Sequence, residues 1–77
     1  MEVQGSNEVG SPMPGKVVKI PVKVGDIVTT GQTLIVVEAM KMQSEFKANG
    51  DKIVTAILVK EGDTVDSHQV MIKMENC

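Results

Sequence analysis

The chain has 77 residues, 8 basic and 10 acidic side chains and a formal charge of -2, which is enough for one small domain and excludes the basic face that a nucleic-acid or anionic-membrane binder presents. Phe46 is the sole aromatic, so bases have no stacking platform either. One histidine and one cysteine, Cys77, leave no disulfide framework, no His/Cys metal set and no Cys-His or Ser-His-Asp nucleophile, so neither a metal ligand nor a catalytic residue is expected.

Residues 1–9 read as a polar, flexible lead-in containing Gly5, Ser6 and Asn7, without the basic start and apolar stretch of a secretion signal. From Ser11 onward the pattern is β. Val18, Ile20, Val22 and Val24 alternate with polar residues or proline, predicting a strand with one face inward. Pro21 cannot donate to a ladder, so it belongs at an edge or a bulge. Gly25-Asp26 predicts a turn, and Thr30-Gly31-Gln32 another. Leu34 to Val37 is one of the two longest apolar runs, four residues each. It is far too short to span a membrane and suits a strand covered on both faces. Alternation returns at Met42, Ser44, Phe46 and Ala48, with Glu45 and Lys47 on the solvent face, and Asn49-Gly50-Asp51 predicts the next turn. A soluble, intracellular protein is expected, in the cytoplasm or an organelle matrix, with no direct membrane contact. Cys77 is expected to be a disordered terminal thiol.

The chain repeats itself. A shift of 37 positions lays Val17–Glu38 over Val54–Glu75 without a gap, with identities that include Ile20/Ile57, Gly25/Gly62, Asp26/Asp63, Gln32/Gln69 and Glu38/Glu75. Such self-similarity implies one supersecondary unit used twice. Neither unit can bury a face alone, but the two can share one core. The expected fold is therefore all-β, a flattened barrel or sandwich of two halves about a pseudo-twofold axis, spanning residues 10–75 with a tail at 76–77. His68 stands where the first half has Gly31, which predicts a turn residue at positive φ rather than a ligand. The first half runs on from Glu38 into Ala39-Met40-Lys41-Met42, whereas the second ends. The turn at Lys41 should thus project from one end, with both termini at the other. Met40-Lys41 is an unusual choice for a two-residue hairpin turn, which favours Asn or Gly at positive φ; a broken local rule marks a functional position.

Ser11-Pro12-Met13-Pro14-Gly15 followed by Glu38-Ala39-Met40-Lys41-Met42 resembles the biotinyl domains of biotin-dependent carboxylases and decarboxylases, over about Ser11 to Glu75. The resemblance implies the barrel-sandwich hybrid fold and a covalent cofactor, biotin, attached by an amide to Lys41. It implies a carrier rather than an enzyme, shuttling a carboxyl group between the sites of a biotin carboxylase and a carboxyltransferase or decarboxylase subunit, after modification by a biotin-protein ligase. Glu38 and Ala39 would shape the hairpin. Met40 and Met42 would help the ligase select the lysine and pack near the biotin; the alternative is that Met40 is only an exposed, flexible apolar residue and that Met42 begins the next strand facing the core. Met13-Pro14-Gly15 would be structural, with Gly15 permitting close backbone approach. Departures from the family pattern are the proline missing after Ala48, and Gln43 where many members have Glu. A thumb insertion between the halves is absent. Two rival readings are a lipoyl-type carrier domain, which shares the fold, and an unmodified structural adaptor.

Overall fold

The structure, a computed structural model, describes residues 7–76. Most of the expected lead-in and the thiol of Cys77 lie outside the described residues. Eight strands follow in order: β1 Glu8–Gly10, β2 Gly15–Lys19, β3 Ile27–Val28, β4 Thr33–Ala39, β5 Met42–Lys47, β6 Lys52–Ile57, β7 Thr64–Val65 and β8 Val70–Asn76. They form two four-stranded antiparallel sheets, β1-β8-β6-β3 and β5-β4-β2-β7.

The halves exchange strands. β3 belongs to the first half but pairs with β6, and β7 belongs to the second but pairs with β2. The Gly-Asp turns fasten the exchange. The Gly25 amide donates to the Val54 carbonyl and the Val54 amide to the Asp26 carbonyl; the Gly62 amide donates to the Val17 carbonyl and the Val17 amide to the Asp63 carbonyl. Each Asp also closes its own turn, its carboxylate accepting from the amide of Lys23 or Lys60 at 2.9 Å. The identities in the repeat are therefore the residues that lock one half into the other. Between the sheets lies one core, with Val17, Val28, Leu34, Ile35 and Val37 meeting Val54, Val65, Met71, Ile72 and Met74.

Matched bulges explain the continuous apolar runs. Pairing of β4 with β5 skips Leu34, and pairing of β8 with β1 skips Met71. Each bulge turns an extra residue inward, so Leu34 and Ile35, and likewise Met71 and Ile72, are all buried.

Three expectations are corrected. The strand predicted over 18–24 is only β2. Pairing of β2 with β4 skips Val18, so Val17 enters the core while Val18 and Val24 are exposed, and Pro21 lies outside any strand. The lead-in boundary moves too. Glu8 and Val9 belong to β1, whose pairing of Val9 with Ile72 is the symmetry mate of Phe46 with Ile35; β8 needs β1 as β4 needs β5. At the other end, Asn76 is no tail but closes β8 opposite Lys52.

Candidate functional site

Ala39 of β4 faces Met42 of β5, and Met40-Lys41 makes the two-residue turn between them. Such a turn matches the right-handed twist of its strands only with positive φ at its central residues. Met40 has φ 53° and Lys41 φ 66°. Each left-handed residue with a side chain costs about 1–2 kcal/mol. The turn at His68 (φ 63°) sits at the position equivalent to Gly31 (φ 89°), as the repeat predicted.

The base of the hairpin is held by Gly15. A Cβ there would lie 2.7 Å from the Glu38 carbonyl oxygen and 2.8 Å from Val37 Cγ1, so only glycine lets β2 come this close to β4. Glu38 is exposed and pairs with Gln43 and Lys16, while Ala39 is half-buried. The hairpin therefore stands on a rigid base and ends in a strained tip.

Lys41 is exposed at that tip. Among the described residues no carboxylate lies within ion-pair reach of its amine. Met40 is 82% and Met42 71% exposed, so neither is a core residue; of the two readings of Met42, core packing is excluded although it does begin β5. The ends of the described residues agree with the placement expected from the repeat. The position equivalent to the Lys41 turn is where β8 ends, at Asn76, and Asn7 meets Asn76 at Lys52, so the hairpin and the two ends of the described residues lie at opposite ends of the described structure.

Sequence reasoning missed the surroundings of the turn. Met42, Ser44 and Phe46 share one face of β5 with Val37 and Ala39 of β4. Beyond the core this face opens into a groove of about 240 Å³, flanked on its other side by Ser11, Pro12 and Met13. Met13, expected to be structural, lines the groove; the apolar alternation along β5 was visible, but not that its outer end lacks a covering sheet. Ser11 is buried, and its hydroxyl donates to the Met13 carbonyl, fixing the loop. Lys52 was also missed. It is only 5% exposed, and its Nζ donates to Asn7 Oδ1 at 3.1 Å and to Asn76 Oδ1 at 2.6 Å.

Comparison with known proteins gives consistent matches. A family profile described as "Biotin-requiring enzyme", covering biotin and lipoyl domains, matches residues 7–74. The biotin carboxyl carrier protein of acetyl-CoA carboxylase from Porphyra purpurea is 49% identical over 65 residues, 84% of this chain and 40% of that protein. The mitochondrial propionyl-CoA carboxylase alpha chain of Sus scrofa is 43% identical over 70 residues, 91% of this chain and 10% of that one. The chain thus spans less than half the length of either relative. Among solved structures, the lipoyl domain of the 2-oxoglutarate dehydrogenase complex from Azotobacter vinelandii superposes with a TM-score of 0.83 at 25% identity, covering 91% of this chain and 96% of that domain.

Proposed function

This chain belongs to the biotin-requiring enzyme family, matched over residues 7–74, and on that premise we propose that it is a biotin carboxyl carrier domain whose Lys41 holds the cofactor through an amide. The observation that carries the assignment to Lys41 is the turn: an exposed primary amine on a tip held at positive φ by both of its residues, at the end away from Asn7 and Asn76. The residues present fit the group. Attachment of a carboxylic acid needs an amine that projects clear of its own domain, and Lys41 supplies it on a four-carbon stem. Lys52, buried between two asparagines, does not.

An amine attacks only when neutral, and the turn offers no base to take its proton, so a biotin-protein ligase must remove it. Met40 and Met42 give that ligase two exposed, adaptable apolar side chains around the lysine; Glu38 and Ala39 hold the strand that presents them. When bound, biotin supplies a ring nitrogen that accepts a carboxyl group and gives it up again. The chain itself contributes a rigid base, a long tether and hence a high effective concentration at each site it visits. The partners proposed are a biotin carboxylase and a carboxyltransferase or decarboxylase, in the cytoplasm or an organelle matrix.

A lipoyl carrier shares the fold, but the Porphyra purpurea relative is by name a biotin carboxyl carrier protein and the Sus scrofa relative is by name a carboxylase chain. The test offers the chain to a biotin ligase and to a lipoate ligase, then supplies the product to a biotin carboxylase with ATP and labelled bicarbonate. Modification by the biotin ligase and uptake of label are expected, with neither in Lys41→Arg. Lipoylation alone, or a biotinylated chain that takes up no label, would contradict the proposal.

A further inference from the structure

The pseudo-twofold axis supplies an internal control for the groove beside Lys41. Shifting by 37 positions maps Gly15 onto Lys52, Ala39 onto Asn76 and Ser44 onto Asn7, and the strand registers keep that correspondence: Gly15 pairs with Val65 as Lys52 pairs with Val28. In the second half the three residues form a filled unit, with the buried Lys52 side chain reaching Asn7 and Asn76. In the first half the same three positions are cut back to glycine, alanine and serine. Beside Gly15 itself the space is taken by Val37 and the Glu38 carbonyl, but Ala39 and Ser44 are too short to fill what the Lys52–Asn7–Asn76 unit fills at the other end, and beside them the groove opens. The end left open is the one that carries Lys41.

We propose that the groove lined by Met13, Ala39, Met42, Ser44 and Phe46 is a resting site for the bicyclic end of the biotin carried on Lys41. The inference rests on the carrier reading. Size, chemistry and reach agree with it. The groove holds about 240 Å³, near the lower end of small-molecule sites at roughly 300 Å³, as suits a compact bicycle. Its walls are mainly apolar, with thioether side chains that adjust to an irregular shape. The Ser44 hydroxyl can accept from or donate to a ureido group. Ser44 stands two residues down β5 from Met42, about 7 Å at ~3.4 Å per residue, and the arm combines the lysine stem with biotin's own aliphatic chain. A group docked there is held against its own domain between visits and must leave the groove to enter a partner's site.

The test compares NMR spectra of the chain, labelled at amide nitrogens and methionine methyls, before and after biotinylation verified by intact mass. Resting in the groove predicts shifts at the Met13 methyl and the Phe46 amide, with nuclear Overhauser contacts from Met13 to the biotin ring. Ser44→Leu, at an exposed strand position, fills the groove; it is expected to remain folded and to be biotinylated but to lose those contacts. Shifts at Lys41 and its chain neighbours with the Met13 methyl and the Ser44 and Phe46 amides unmoved overturn the inference while leaving the carrier reading intact. So does a groove that responds to added ligase and not to the tethered group. A chain that gains no biotin overturns the carrier reading, and the resting site with it.

Discussion

At the residue scale, the Lys41 turn trades stability for display. Both Met40 and Lys41 adopt φ values that glycine would adopt freely. Met40 is 82% exposed, so its replacement loses little packing. Met40→Gly should raise the unfolding free energy by up to about 1 kcal/mol, the left-handed strain relieved being partly offset by the flexibility glycine adds to the unfolded chain. The same variant should be a poorer ligase substrate, because one of two apolar flanks is gone. Denaturant titration and initial rates of biotinylation check the two halves of this prediction; a variant that is both less stable and modified at the normal rate contradicts them. The strain was legible in the sequence, because Met-Lys is chemically wrong for a turn that the two flanking strands require. Lys52 was not. Its burial depends on Asn7 and Asn76, which lie far from it in sequence, and a lone lysine after a turn reads as solvated.

At the scale of elements, the hairpin is positioned by the closeness of β2 and β4. Gly15→Ala places a methyl 2.7 Å from a backbone oxygen and 2.8 Å from the Val37 side chain; the oxygen cannot move without moving β4. The expected cost is about 1–3 kcal/mol. Thermal unfolding measures it, and the amide resonances of Glu38 and Ala39 report the shift of the hairpin base. An unchanged melting temperature would show that the strands can part freely. The close approach of Gly15 was readable from the Met-Pro-Gly run, whereas the phase of β2 was not. Alternation of Val18, Ile20, Val22 and Val24 suggested one long strand, but the bulge at Val18 and the departure of the chain toward the other sheet reset which residues face inward. A single-residue slip of this kind reverses the faces, and it is fixed by the partner strand rather than by local sequence. β1 escaped for the same reason: its mate β8 lies at the other end of the chain.

For the whole molecule, the exchange of β3 and β7 makes the two halves inseparable. Each Gly-Asp turn donates to and accepts from the half it does not belong to, and a domain this small has little buried surface to spare. Residues 1–49 and 50–77 prepared as separate peptides should each lack β-structure by circular dichroism, and an equimolar mixture should recover it. A folded single half would contradict the shared core. The repeat made this architecture legible, because the conserved-by-repetition residues, Gly25/Gly62, Asp26/Asp63 and Gln32/Gln69, are those that make the turns and cross-links. The groove was illegible for the opposite reason: it arises where the repeat fails, at Ala39 and Ser44, and an omission acquires meaning only once the filled counterpart at Lys52 is seen.

On the proposed function, one lysine out of eight carries the cofactor because the fold displays it alone on a strained tip. The most direct measurement is peptide-resolved mass spectrometry of the chain after reaction with biotin, ATP and a biotin ligase. The expected result is a single biotinyl group, on Lys41, with Lys52 and the other lysines unmodified and with Lys41→Arg folded but unreacted. Biotin on a different lysine, or retained by Lys41→Arg, would contradict the account.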